Sequence, residues 1–231
     1  MTDAVLQPTA PQERIVTLDV LRGFALGGIL LMNMESFVGP VFQANTGLDP
    51  ALTGADRIAD GLVYFFVQGK FYTLFSLLFG MGFAMLVQRA EAAGRPFAGL
   101  YWRRSLTLLC IGLVHSLLIW SGDILVPYAL LAIPLLAFRD VPARWLAWLG
   151  IACYLAAPAM LLGLGLMSQW VPGWDVFMAQ AGKEMTELAE AQREVYGSGG
   201  YAMAVVQRVR DFGLMLSNMM VFGVMIFGMF L

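Results

Sequence analysis

The chain has 231 residues and a formal net charge of −2, and 59% of its residues are hydrophobic while only 13% are charged. Soluble domains are roughly half apolar and about a quarter charged, so this composition predicts an integral membrane protein built as one helical bundle. The small negative charge and the lack of a basic run in the sequence argue against a nucleic-acid partner. One histidine and two separated cysteines argue against a metal site.

The N-terminal part of the chain is predicted to be a disordered lead followed by a first membrane span. Residues 1–17 are polar and form the lead, and the span runs over Leu18–Val38. Asp19 and Arg22 stand three residues apart at its start and could form an interfacial ion pair. Alternatively, Arg22 points inward on the helical face that carries Asn33, and Asn33 is then a candidate substrate-binding residue.

The second predicted span is less regular than the first. It consists of Ile58–Gln68 and Phe71–Val87, with an interruption between them. Lys70 lies in that interruption, where it could bind an acidic ligand group, although a solvated interfacial lysine fits equally well. Small residues recur at helical spacing and favour close helix packing over a substrate groove. These residues are Gly69, Thr73, Ser76, Gly80 and Ala84.

The centre of the chain is predicted to be a hairpin of two membrane helices. Leu106–Ala132 contains two apolar runs separated by a Ser-Gly-Asp break, and the first run holds the only histidine, His115. At about 1.5 Å per residue, His115 lies roughly 16 Å beyond Arg104 on the same helical face, near the middle of a hydrocarbon layer of about 30 Å. An ionisable group at that depth is expected to face the protein interior or a wet cavity.

The residues around His115 leave its role open. Asp123 would lie about 12 Å from His115 along a continuous helix, so direct contact is not expected and an N-cap of the following helix is favoured. Gly112 and Gly122 share the face of His115 and are expected to leave room beside its ring. A lone histidine in a membrane helix fits a structural bond to a neighbouring helix as well as it fits catalysis.

The C-terminal half completes an all-α, polytopic membrane bundle over 18–231 with about six transmembrane helices. Trp145–Met167 is the fifth predicted span, residues 168–212 form a long extracytoplasmic insert containing an amphipathic helix, and Phe212–Leu231 is the sixth span. The chain stops there without flanking charge, so a C-terminal truncation is expected. Arginines concentrate in the short loops after the second and fourth spans, which predicts a cytoplasmic N-terminus.

Three long motifs resemble the YeiB family of bacterial membrane proteins. They are LDVLRGFALGGILLMNM at 18–34, GKFYTLFSLLFGMGFAM at 69–85 and RRSLTLLCIGLVHSLLIWSGDILVPYALL at 103–131. The resemblance covers essentially this whole chain but only about the first half of a typical family member. The family in turn resembles the transmembrane acyltransferase group that includes heparan-α-glucosaminide N-acetyltransferase. In that group an intramembrane histidine is implicated in passing an acyl group from cytoplasmic acyl-CoA to an acceptor on the far side.

The resemblance implies a multi-pass acyltransferase of the bacterial inner membrane, with acyl-CoA as donor and an extracytoplasmic acceptor such as a carbohydrate. His115 would then act as general base or acyl relay, because imidazole titrates near neutral pH, and Asp123 would meet the acceptor or cap the next helix. The residues expected to meet coenzyme A at the cytoplasmic mouth are Arg22, Arg103 and Arg104, and Lys70 is a further candidate cofactor-binding residue.

Two other functions fit the residues themselves. In a proton-coupled carrier, His115 and Asp123 would relay protons and no acyl donor would bind. The chain could also be a purely structural membrane component. All three functions place the protein in the lipid bilayer, and the enzyme and the carrier also bind small molecules. The sequence leaves the oligomeric state open and is compatible with a homo-oligomer.

Overall fold

The computed structural model describes residues 15–38, 47–49, 52–94, 97–212 and 219–231, and every regular element in these ranges is helical. This confirms the predicted all-α fold class. The helices are α1 (Val16–Val38), α2 (Gly54–Phe66), α3 (Lys70–Ala92), α4 (Phe97–Val114), α5 (Leu125–Leu135), α6 (Ala143–Met167), α7 (Trp174–Ser198), α8 (Tyr201–Phe212) and α9 (Met219–Phe230). A π-helical turn, His115–Ile119, extends α4, and a 3-10 turn, Leu136–Phe138, extends α5.

In the described part of the chain, four helical segments are long and apolar enough to cross a membrane. They are Val16–Phe37, Gly54–Ala92, Phe97–Ile119 and Ala143–Met167, and they overlap the first, second, third and fifth predicted spans, the third and fourth being the two helices of the predicted hairpin. The fourth predicted span is a shorter apolar helix, Leu125–Phe138, below the roughly 20 residues that cross a bilayer. The sixth is described only over 219–231, and its first part lies outside the described residues. Of the predicted lead, residues 1–17, the first fourteen also lie outside the described residues. The last two, Val16 and Thr17, already belong to α1.

The closest helix packing joins α3, α6 and α9, and glycines at the contact points allow the helix backbones to approach. A Cβ at Gly80 of α3 would overlap the backbone carbonyl of Met225 in α9, and a Cβ at Gly150 of α6 would lie 2.9 Å from the carbonyl oxygen of Gly223. Lipid tails are as apolar as side chains, so helices in a membrane associate through such close backbone approach. The stripe of small residues therefore packs against another helix at Gly80, as the sequence predicts.

Buried tyrosines fix α5 between α3 and α4. The Tyr101 hydroxyl of α4 donates to the carbonyl oxygen of Ala132 in α5 at 2.6 Å. The Tyr128 hydroxyl of α5 contacts the Ser76 hydroxyl and donates to the carbonyl oxygen of Tyr72, both in α3. Each buried phenol is thus satisfied by a polar partner, as an environment without water requires. These bonds attach the last turns of α5 to α4 and its middle to α3, and so fix the helix that follows the candidate site.

The segment predicted as a long polar insert, residues 168–212, contains two helices, α7 and α8. The predicted amphipathic helix is α7, but its methionines Met178 and Met185 are exposed, and among its residues only Gln192 is buried. The second helix, α8, was not predicted. It packs against the π turn that follows α4, with Ala204 buried on its inner face.

Candidate functional site

His115 begins a π-helical turn at the end of α4. The N–H of Trp120 donates to the carbonyl of His115 at 2.8 Å, an i to i+5 bond that widens the helix by one residue. Trp120 itself is extended, with φ −154° and ψ 132°, and ends the helix. Single π turns of this kind occur frequently at functional sites, because they turn side chains away from the regular helical positions.

Asp123 contacts His115 directly. Its Oδ1 lies 2.8 Å from His115 Nδ1, while its Oδ2 accepts a 2.8 Å hydrogen bond from the N–H of Val126 in the first turn of α5. The Asp123 side chain is 1% exposed and that of His115 is 33% exposed. An ionised carboxylate only accepts hydrogen bonds, so Nδ1 is assigned the proton and Nε2 keeps a lone pair. The pair has the geometry of a positioned general base.

The distance predicted from the sequence between His115 and Asp123 was wrong. It assumed a continuous helix, over which eight residues span about 12 Å. The helix instead ends at Ile119, and the chain turns back through Trp120 so that Asp123 returns to the ring. The favoured capping role is present as well, since Asp123 holds the N–H of Val126 with its second oxygen. One carboxylate therefore caps α5 and orients the histidine.

The two glycines near His115 do not leave open space beside its ring. A Cβ on Gly112 would lie 2.8 Å from the backbone nitrogen of Val126, so this glycine is where the start of α5 packs against α4. A Cβ on Gly122 would overlap the ring of Trp120. The expectation of room at these positions was wrong, because the returning chain fills it. The close approach at Gly112 is what brings Asp123 within reach of His115.

Trp120 connects the site to α1. Its ring stands edge-on to His115, with centroids 6.2 Å apart, and packs edge-on against Phe37 at 4.7 Å. Its Nε1 donates to the carbonyl oxygen of Ser36 at 3.3 Å. The C-terminal end of α1 is therefore attached beside the histidine, at the end of the bundle away from Arg104.

A cavity of about 1160 Å³ lies between α1, α3 and α4 at the other end of these helices. Three of the predicted coenzyme-binding residues line it, namely Arg22, Arg103 and Arg104, together with Arg89. Arg22 also forms the predicted interfacial ion pair with Asp19, at 3.3 Å, while it lines the cavity. Such a cluster of guanidinium groups fits a ligand that carries several negative charges.

The cavity stops short of His115. It extends along α4 as far as Ile111, one helical turn before the histidine, which is not among the lining residues. Lys70 and Asn33 lie outside its lining too. Lys70 is exposed and donates to the carbonyl oxygen of Gln68 at 3.3 Å. Asn33 is half-buried, and its carbonyl accepts a bond from the Ser36 hydroxyl. The structure thus brings three predicted arginines together and leaves these two residues apart from them.

Sequence reasoning missed the residues of α8 that contact the site. Tyr201 and Arg208 both donate to the carbonyl oxygen of Leu118, in the π turn. Their spacing of seven residues places them on one helical face, which was the available signal. Within the described ranges, no group of three His, Cys, Asp or Glu side chains could hold a metal ion.

Comparison with known proteins identifies the family. The chain is 35% identical to the protein YeiB of Escherichia coli K12 over 226 residues, which is 91% of this chain and 55% of that protein. It is 38% identical to the protein YxaH of Bacillus subtilis 168 over 215 residues, which is 89% of this chain and 51% of that protein. The chain belongs to the YeiB family.

The relatives give no activity by name. A third relative, the 39.9 kDa protein in the amylase 3′ region of Bacillus acidopullulyticus, is 40% identical over 136 residues, or 59% of this chain and 37% of that protein. All three are named as uncharacterised proteins. The chain spans about half the length of the curated relatives it matches over most of its length. No family model and no solved structure matches it.

Proposed function

We propose that the chain forms part of an acyltransferase of the bacterial inner membrane, which moves an acyl group from cytoplasmic acyl-CoA to a hydroxyl or amine acceptor, such as a carbohydrate, on the other side. The observation that carries the proposal is the 2.8 Å contact between His115 Nδ1 and the buried carboxylate of Asp123. His115 lies at the end of the same helix that contributes Arg103 and Arg104 to the cavity. One helix therefore links a group of cations to a positioned base.

The proposed step uses Nε2 of His115 as the base. The acceptor oxygen or nitrogen attacks the thioester carbonyl carbon while its proton passes to Nε2. The new C–O or C–N bond forms, the C–S bond breaks, and the proton is delivered from the imidazolium to the departing coenzyme A thiolate. Asp123 keeps the proton on Nδ1 and stabilises the imidazolium while it exists. No metal ion enters this scheme.

The length of α4 supports a donor that lies along it. Arg104 and His115 are separated by about 16 Å of helix, a distance comparable to an extended pantetheine arm. The phosphates of coenzyme A would contact Arg22, Arg103 and Arg104, and the thioester would lie near the histidine. Because the cavity ends at Ile111, one helical turn before His115, the thioester must extend beyond the cavity lining to reach Nε2.

Labelled acyl-CoA and an acceptor mixture, incubated with the full-length protein, test the proposal. His115→Gln and His115→Ala should leave acyl-CoA binding intact and reduce transfer by about 100-fold or more, the contribution of a general base. Arg104→Lys keeps the charge but loses the two-pronged guanidinium, so it should weaken acyl-CoA binding while the protein still inserts. Transfer at the parent rate in both histidine variants would contradict the proposal.

A proton-coupled carrier is the second candidate, and the same contact favours it. A buried carboxylate bonded to an intramembrane histidine is also the arrangement found in proton relays. A carrier would neither transfer nor release the labelled acyl group, and substitution of Asp123 would abolish proton-driven uptake in vesicles instead. The acyl-CoA incubation therefore separates the two functions.

A further inference from the structure

The turn between His115 and Asp123 is held from outside by α8. The carbonyl oxygen of Leu118 accepts one hydrogen bond from the hydroxyl of Tyr201, at 2.8 Å, and another from Nη1 of Arg208, at 3.1 Å. The last carbonyls of a helix have no partner within it, and the extended conformation at Trp120 ends this helix. Two donors from a distant part of the chain thus satisfy a carbonyl three residues after the histidine.

A second attachment lies closer to Asp123. The buried hydroxyl of Ser121 hydrogen-bonds to Tyr196 of α7. The Tyr196 hydroxyl in turn donates to Asp211 of α8 at 2.9 Å, and the Gln207 side-chain amide donates to the same carboxylate at 2.9 Å. Burial raises the pKa of Tyr196 to about 12, so its hydroxyl stays a neutral donor near pH 7. Asp211 is 1% exposed, so these bonds lock α7 and α8 into one unit.

Arg208 is held by two aromatic rings of this unit. Its guanidinium lies over the rings of Tyr196 and Tyr201, at 5.8 and 5.7 Å from their centroids. The two rings limit the positions that the guanidinium can take, and a cation near the C-terminal carbonyls of a helix is favoured by the helix dipole. The Leu118 carbonyl therefore accepts its hydrogen bond from Arg208, whose own position is restricted by the two rings.

We propose that Arg208, assisted by Tyr201, is a positioning residue that keeps the π turn in the conformation in which His115 meets Asp123. Both attachments, at Leu118 and Ser121, fall on the short segment that joins the two members of the pair. Loss of the Arg208 bond frees this segment to relax toward a regular helix end, which carries Asp123 away from Nδ1. The proposal concerns the hydrogen bond of the imidazole and does not depend on acyl transfer.

Nitrogen NMR of the chain labelled with ¹⁵N-histidine tests it, because the chain contains a single histidine. In its neutral form, the ring of the parent protein should carry the proton on Nδ1. Arg208→Ala should change the tautomer ratio toward the Nε2–H form by about tenfold or more, the effect expected when a hydrogen bond to a charged group is lost. Arg208→Lys should restore the parent spectrum, because an ammonium group can also donate to Leu118.

Two further variants make the test decisive. Arg210→Ala removes the same charge from an exposed position two residues further along α8, and it should leave the histidine signals unchanged. Tyr201→Phe removes one bond to Leu118 without changing charge or size, so it should shift the ratio in the same direction even if Arg208→Ala does not fold. Parent-like spectra in folded Arg208→Ala or in Tyr201→Phe would overturn the proposal. An inactive protein with the parent tautomer would instead count against acyl transfer alone.

Discussion

Replacement of Asp123 by asparagine or alanine separates its two roles. Asparagine keeps a carbonyl oxygen that can still accept from the N–H of Val126, but it presents an uncharged group to His115. A hydrogen bond to a charged group contributes about 1.5–3 kcal/mol, and the partial exposure of the His115 ring places this bond near 1.5 kcal/mol. Alanine also removes the cap, which costs about 1 kcal/mol more. The free energy of unfolding should therefore fall in the order parent, Asp123→Asn, Asp123→Ala.

A double-mutant cycle in detergent micelles measures the first of these terms. The free energies of unfolding of the parent, Asp123→Asn, His115→Gln and the double variant give the coupling between the two side chains. We expect a coupling of about 1 kcal/mol or more, since the pair is in direct contact and Asp123 is buried. If Asp123→Asn costs the same in the His115→Gln background as in the parent, the two residues do not interact and the reasoning fails.

Two predictions concern packing and topology. Gly80→Val should lower the free energy of unfolding by about 3 kcal/mol or more, because the valine side chain would overlap α9. Gly163→Val is the control, because the space around Gly163 is open, and it should change the free energy of unfolding little when both variants are compared by thermal unfolding. In a cysteine-free background, cysteines at Ala93 and Ala143 should be shielded from an impermeant thiol reagent in intact cells, while one at Ala189 should react. Labelling of the first two from outside would show that the N-terminus is not cytoplasmic.

The sequence predicts the elements whose periodicity is regular. Arg104 and Ile111 are two turns apart in the regular helix α4, and both line the cavity, so this part of the predicted stripe is one side of the helix. Arg22 and Arg104 could be placed near each other because both stand at the predicted cytoplasmic ends of the first and third spans. The close helix packing at Gly80 was predictable for the same reason, since small residues at helical spacing have one common use in membranes.

Local departures from periodicity were not predictable. The π turn at His115 and the extended residue Trp120 bring Asp123 back to the ring, and no residue pattern marks where an apolar helix widens by one residue. α8 was missed because its polar residues resemble a solvated loop, although Asp211 is buried and Arg208 contacts the π turn. These contacts join segments about 90 residues apart, which a single sequence read in order does not connect.

The role of His115 as a positioned base depends most directly on which nitrogen carries the proton in the unmodified protein. The ¹⁵N spectrum of the single histidine, recorded for the neutral ring, answers this. With Asp123 at 2.8 Å from Nδ1, we predict the Nδ1–H tautomer, with Nε2 unprotonated and free to accept a proton. A proton on Nε2, or the averaged signals of an unrestrained ring, would contradict the assignment of His115 as a base positioned by Asp123.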